Sequence, residues 1–374
     1  MRGLRTLLMV AAAIALLAAG CAGGEDEETT DGSTAAGADA DTGDDADGDG
    51  PDDGDDAVGD GTGELTEITV VTTSPSALNR FPLYAALGEG YFEEEGLSVT
   101  VESLDGSAPV LQAMAAGQAE IGTPGPAQTI GARVEGEDFV YFYNLFKANI
   151  FGIIVPADSD AQEPADLGGR TIGVGTADGA EVSLLRSILN DAGLEEGDYD
   201  LLPVGDGGLA ATAFIRGDVD AYIGNTSDNA TIAARTGEEY RDITPDDYRP
   251  LFANGFAATG DFLRDSPELV EGFGRAIARG TVWGLANKDA ALEYAREGNP
   301  EESAEPEFAS ALFDIVAERL QPLVDDPRWG YMPPEHWELW EENLLETGEL
   351  EEPLGDALEE VYTNEFVDAY NDFL

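Results

Sequence analysis

The chain carries a second copy of part of itself. Ile121 to Arg133 aligns without a gap on Ile223 to Arg235, with Ile, Gly, Thr, Ile, Ala and Arg shared at six of thirteen positions. Each copy follows a stretch of the same kind, Gly117-Gln118-Ala119-Glu120 and Gly217-Asp218-Val219-Asp220. Such a repeat predicts two similar α/β units, each with a strand ending at Gly122 or Gly224 and a loop leading into a helix. In open α/β sheets, ligands sit beyond the carboxyl ends of the strands. Two such edges facing one another would form one cleft, lined by Thr123 to Gly125 and by Asn225 to Asp228. Helix N-termini aimed into it would supply free N–H groups and partial positive charge, suited to anionic or acceptor-rich ligands.

Elsewhere from about Glu64 to Leu374, short apolar strands alternate with helical patterns, which argues for parallel sheets and enough chain for two domains. Ile68 to Val71 reads as a strand and Phe81 to Phe92 as a helix. Leu97 to Val101 reads as a strand and Pro109 to Ala116 as a helix. Phe139 to Phe146, Ile150 to Val155 and Thr171 to Val174 read as strands, and Gly179 to Ala192 as a long helix. After Ser266 the pattern turns helical over Pro267–Asn287, Pro306–Leu320 and Pro334–Leu345. A Pro opens each of these stretches, and Ser266 is placed to cap the first.

The N-terminus has the order of an exported precursor: Arg2 and Arg5, an apolar run from Leu7 to Leu17, then Ala18-Ala19-Gly20. Cys21, the one cysteine in 374 residues, follows directly. That arrangement resembles the lipobox of bacterial lipoproteins, whose thiol takes up a diacylglyceryl group. The resemblance implies a signal peptide over 1–21 and an anchor on the outer face of a membrane. A disulfide within the chain is excluded, because it needs a second cysteine. Residues 22–63 contain sixteen Asp and Glu and no Lys or Arg. Such a composition cannot offset the entropy of ordering, so this stretch reads as a disordered acidic tether.

The formal charge is −59, and residues 64–374 carry −45 of it, from 16 Lys and Arg against 61 Asp and Glu. Nucleic-acid surfaces need clustered cations, so that class of partner is excluded. Lys147 and Lys288 are the only lysines. An acidic, lysine-poor surface resembles proteins of salt-loving microbes, in which dense salt screens self-repulsion.

Several short motifs, taken in order, are similar to one family. They are Pro82-Leu83-Tyr84 through Gly90-Tyr91-Phe92-Glu93-Glu94-Glu95-Gly96-Leu97, Gln112 to Gly122, and Asp166-Leu167-Gly168-Gly169-Arg170-Thr171-Ile172-Gly173-Val174. Arg216-Gly217-Asp218-Val219-Asp220-Ala221, Ser266 to Val270, Trp337 to Pro353 and Thr363 to Phe366 complete the set. The chain resembles the substrate-binding proteins of ABC importers, in the branch serving sulfonates, taurine, nitrate and thiamine-pyrimidine precursors. The resemblance implies a two-domain periplasmic-binding-protein fold of type II, with two hinge crossovers near Asn149–Ile154 and Leu251–Phe256 and a helical C-terminal portion. It divides the body into one lobe of 64–150 plus 253–374 and another of 151–252. It also implies a protein that closes over a small-molecule ligand and is read by a membrane permease; a monomer is the default expectation.

The expected ligand contacts are Ser74, Ser76 and Asn79 after the first strand, Gly106 and Ser107, Thr123 and Gly125, Asn144, Thr176, and Asn225, Thr226 and Asp228. Ser107 also suits a helix N-cap. Arg80 reads first as a surface ion pair and otherwise as a counter-charge for an anion. Trp283, Trp329, Trp337 and Trp340 read as packing. The stretch Gly173 to Gly179 lacks the GxGxxG spacing of a dinucleotide loop.

A second reading keeps the same clamp as a sensing lipoprotein without a transporter. A third is an enzyme resembling the thiamine-pyrimidine synthase, which consumes an active-site His and uses a cysteine-rich run. This chain has one His, His336, and one Cys. A Cys/His nucleophile pair and a metal cluster are therefore not expected, and neither is a cofactor or catalysis.

Overall fold

The structure is a computed structural model that describes residues 65–321 and 325–374. Cys21, the signal and the acidic stretch 22–63 lie outside the described residues. Among the described residues, ten strands form two five-stranded sheets. The first contains β1 (Thr66–Thr72), β2 (Leu97–Ser103), β3 (Ile121–Gly122), β4 (Phe139–Tyr143) and β10 (Phe256–Thr259). The second contains β5 (Phe151–Pro156), β6 (Thr171–Val174), β7 (Asp200–Pro203), β8 (Ala221–Asn225) and β9 (Tyr240–Asp242).

Their strand orders are β2-β1-β3-β10-β4 and β7-β6-β8-β5-β9. These are the same order written twice. In each sheet the third strand, β3 or β8, is parallel to its neighbour on one side and antiparallel to the fourth strand, β10 or β5. That fourth strand follows a connection from the other sheet. The two copies found in the sequence are these third strands and the helices after them, Pro126–Val134 and Thr226–Thr236. The repeat therefore marks equivalent places in two equivalent sheets. β5 and β8 are buried through Ile153, Val155, Ala221, Tyr222 and Ile223, the near-continuous apolar run expected of strands covered on both faces.

Two segments, 144–150 and 243–255, connect the sheets. The strand expected over Phe139–Phe146 stops at Tyr143, because the chain after it turns to other partners. Asn144 N–H donates to Gly330 O at 3.0 Å, and the buried Lys147 ammonium donates to Arg328 O and Tyr331 O. Burial lowers the Lys147 pKa to about 7. The helix expected over Phe81–Phe92 is two pieces, Phe81–Gly88 and Tyr91–Glu94. Gly90, at φ 73°, breaks it, in a left-handed conformation that glycine tolerates.

Ser266 does not cap its helix by a side-chain hydrogen bond, and Pro267 opens that helix instead. Helix Pro267–Ala286 buries Val270, Phe273, Ile277, Gly280 and Gly284 on one face. A β-carbon on Gly280 would collide with Pro82 O and lie 2.9 Å from Ala86 N. The missing side chain lets helix Phe81–Gly88 cross at backbone contact.

The C-terminal helix Pro334–Thr347 covers the second connection. Trp337 and Trp340 are 0 % and 1 % exposed, and Trp340 Nε1–H donates to Phe252 O at 3.2 Å. Trp337 meets Tyr141 and Phe252 edge-on at 5.1 and 4.9 Å and stacks on Tyr362 at 5.1 Å. Both tryptophans are packing residues. Among the described residues no helix is long and apolar enough to cross a membrane.

Candidate functional site

The loop leaving β1 wraps around Arg80. Its guanidinium donates from Nη1 to Ser74 O, Ser74 Oγ and Ser76 O at 3.2–3.3 Å, and from Nη2 to Thr73 Oγ1 at 3.1 Å. Arg80 is 5 % exposed and makes no ion pair among the described residues, which corrects the surface-pair reading. Burial lowers its pKa to about 10, so it stays cationic at neutral pH and its charge holds the loop. Beside it, Glu302 accepts from Ser76 Oγ and from Leu78 N–H at 2.9 Å.

One residue further back, Asn79 crosses to the second sheet. Its Nδ2 donates to Asn225 Oδ1 at 2.9 Å and to Ser227 Oγ at 3.0 Å. Asn225 also caps helix Thr226–Thr236, accepting from Ser227 N–H at 2.9 Å and Asp228 N–H at 3.2 Å. One amide thus satisfies a helix start and holds the two sheets together. Next to this latch lies a cavity of about 50 Å³, room for on the order of four water-sized groups. Ser74, Asn79, Arg80, Gly106 and Ser107 line it from the first sheet's side, and Thr176, Glu181, Asp206, Asn225 and Asp228 from the second's. Phe146, Ile150 and Phe151 form its apolar wall.

Seven of the twelve expected contacts line this chamber: Ser74, Asn79, Gly106, Ser107, Thr176, Asn225 and Asp228. The other five do not. Ser76 faces an adjoining groove of about 910 Å³ that also includes Ser74, Asp206, Leu209, Asp228 and Phe308. Thr123 is bound from behind, accepting from Thr73 N–H on Oγ1 and from Asn254 Nδ2 on its carbonyl. Gly125 N–H donates to Ser107 Oγ at 3.0 Å. Ser107 therefore braces the β3 loop and is not the cap of its own helix, where Gly106 holds that position. Thr226 Oγ1 donates to Ile150 O at 3.1 Å, and Asn144 is buried with both amide atoms unpaired. The cleft edge expected at Thr123 to Gly125 is thus spent on internal hydrogen bonds.

Glu181, Asp206 and Asn254 were not expected. Asp206 opens helix Gly207–Arg216, and Glu181 lies in the first turn of helix Ala180–Asp191. Both carboxyls converge on Gly175. A β-carbon there would collide with Asp206 Oδ1 and lie 3.2 Å from Glu181 Oε1, which also accepts from Gly175 N–H. Burial pushes the Glu181 carboxyl up to about 7, with Asp206 adding repulsion. Asp228, 8 % exposed, is pushed well above the usual carboxylate range by burial first and by Asp206 and Glu181 next. Asp206 is also raised, by burial and then by Asp105. The chamber is therefore acidic, with carboxyls placed where helix N-termini alone would suit anionic or acceptor-rich ligands.

His336, 6 % exposed in helix Pro334–Thr347, does not line the chamber. Among the described residues no group of three or more His, Cys, Asp or Glu is placed to hold a metal ion.

Two sheets of one order, a latch between them and a shared polar chamber define the architecture in which residues 77–291 match the NMT1/THI5-like family. The chain belongs to that family. Its relatives include a riboflavin-binding protein of Chloroflexus aurantiacus, 26% identical over 318 residues (81% of this chain, 86% of that one). A formylaminopyrimidine-binding protein of Halalkalibacterium halodurans is 27% identical over 224 residues (58% and 66%). A third relative, from Aspergillus parasiticus, carries the name 4-amino-5-hydroxymethyl-2-methylpyrimidine phosphate synthase and is 27% identical over 241 residues (61% and 69%). Among solved structures, one from Bordetella bronchiseptica superposes with a TM-score of 0.69 at 22% identity, covering 83% of this chain and 98% of that one. This family member has the periplasmic-binding-protein fold, two sheets with two crossings.

Proposed function

We propose that this family member is the solute-binding component of an ABC importer, capturing a small polar molecule between two lobes and presenting the closed form to a permease. The lobes are 64–150 with 253–374, and 151–252, hinged at the two connections. The observation that carries this reading is the Asn79 latch onto Asn225 and Ser227, beside a chamber lined from both sheets. A ligand touching both walls gains those contacts only when the lobes are closed, so binding shifts the hinge equilibrium. The relatives named for riboflavin and for a formylaminopyrimidine support a small organic ligand.

Binding without turnover is the reading for this chain despite the synthase-named relative. The polar side chains on the chamber wall are carboxyls, amides, hydroxyls and one guanidinium, while the single His is packed elsewhere. The protein acts outside the cell membrane, held through acyl chains on Cys21, with 22–63 as its leash. Durable anchoring takes more than one chain. Cys21→Ser is expected to move the protein from the membrane to the soluble fraction; unchanged membrane retention on fractionation contradicts the anchor. The acidic surface suits a saline habitat, and the melting temperature is expected to rise substantially from dilute buffer to molar NaCl. A flat or falling curve removes that idea.

The test of the clamp is a thermal-shift screen of sulfonates, nitrate, pyrimidines and flavins in high salt, followed by small-angle scattering on each hit. A contraction on binding is expected, and hits that raise the melting temperature with no change in radius of gyration overturn the hinge. Asn79→Ala removes two hydrogen bonds made only across the latch. At about 1 kcal/mol each, ligand affinity is expected to fall roughly tenfold or more with little change in the melting temperature of the free protein. Equal affinity by calorimetry counts against the latch.

A further inference from the structure

The chamber has more negative groups than its positive charge can balance. Arg80 is committed to the β1 loop by four hydrogen bonds, and Glu302, its neighbour across Ser76, offsets its charge. That leaves Glu181, Asp206 and Asp228 on the wall. None of them forms an ion pair with a Lys or Arg among the described residues. Asp228 is 8 % exposed, and among the described residues the donor at its carboxyl is the backbone N–H of Asn225.

Two buried carboxyls and a half-buried one with no ion-pair partner among the described residues are costly unless a cation joins them or they bind protons. A second feature points to a bound molecule. On the same wall, Arg80 Nε and Thr176 Oγ1 are buried with no partner, so they can bond to a hydroxyl or carbonyl entering the chamber. Thr176 Oγ1 lies 3.0 Å from where a β-carbon on Gly106 would sit, so the gap between the sheets is narrow there and admits only a slender group.

We infer that the chamber takes the cationic head of its ligand, an N–H-bearing ammonium or amidinium group against Glu181, Asp206 and Asp228 with an adjacent oxygen near Arg80, and discriminates against sulfonate and nitrate anions. This rests on the clamp reading above and narrows it to one ligand class. Charged groups facing the three carboxyls are Arg80, Glu302, Asp105 near Asp206, Asp178 near Thr176, and the phenol of Tyr222, itself raised by burial and by these acids. Arg80 is the one cation lining the chamber, and Arg235 borders the adjoining groove that Asp206 and Asp228 share. A cationic ligand favours the ionised carboxyls, so its affinity rises with pH through the range in which Glu181 titrates, near 7. An anionic ligand would show the opposite slope.

Ethanolamine and isethionate test this, since they share a hydroxyethyl skeleton and carry opposite charges. Each is titrated calorimetrically into the full chain at constant high salt, at pH 6 and pH 8, with radius of gyration as a parallel readout. Ethanolamine is expected to bind about tenfold tighter at pH 8 than at pH 6, and isethionate to bind at least tenfold more weakly than ethanolamine at pH 8. Asp228→Asn is expected to weaken ethanolamine at least tenfold without lowering the melting temperature, which separates lost binding from lost folding. Tighter binding of isethionate with contraction overturns the cation inference and leaves the clamp standing. No heat from ethanolamine, or an affinity insensitive to both pH and Asp228→Asn, also overturns the inference; the clamp is judged separately by contraction with hits from the wider screen.

Discussion

Trp337→Ala is expected to cost about 3–5 kcal/mol of folding stability, the range for truncating a large buried aromatic side chain. Trp337 is 0 % exposed, touches Tyr141 and Phe252 edge-on and lies flat on Tyr362. Alanine would leave a void bordered by β4, the second connection and the C-terminal segment, three parts of the chain that cannot all move inward together. The indole Nε1–H has no partner, so no hydrogen bond is lost and the cost is contact and cavity. At this chain length the loss corresponds to a drop on the order of 10 °C in melting temperature. Chemical denaturation measures it directly, and a loss under about 1 kcal/mol would mean that the aromatic cluster is not a rigid joint.

Glu181→Gln is expected to stabilise the protein above neutral pH. The Glu181 carboxyl rises from 4.5 to about 7 on folding, chiefly through burial, so the folded state holds its proton more tightly than the unfolded chain does. That advantage is fully present below about pH 4.5 and is lost as pH rises through about 7. A shift of that size is worth about 3 kcal/mol. Glutamine keeps an oxygen for Gly175 N–H and never ionises. Wild type and variant should therefore be equally stable near pH 4, and the variant more stable by about 3 kcal/mol near pH 8. Comparing the two at each pH removes the effect of the other carboxylates. A difference that does not change with pH would show that folding leaves the Glu181 carboxyl unshifted.

The repeat at Ile121 and Ile223 made the architecture legible from the residues alone, because equivalent strands and following helices need the same small and apolar residues. The helices that begin at Pro267, Pro306 and Pro334 were equally readable, since Pro in a first turn is a local signal. In the sequence Gly90 reads as part of a helix, because a helical hydrophobic pattern runs through it, and only its φ of 73° reveals the turn. Glu181 and Asp206 were invisible among so many acids, since nothing in their neighbours distinguishes a buried carboxyl from a solvated one. Thr123 and Gly125 were expected at the cleft, and their hydrogen bonds to Thr73 and Ser107 keep them behind its wall.

By itself, then, the sequence determined the plan of two similar α/β units and the helices that open at Pro267, Pro306 and Pro334, because these follow from periodicity, repetition and local helix-start signals. The tertiary structure alone decided that Arg80 is an internal brace, that Asn79 is a latch and that the chamber is acidic. Burial and pairing depend on distances between residues far apart in the chain: Asn79 reaches Asn225 and Glu302 reaches Ser76. No local propensity encodes whether a charge meets water or a partner.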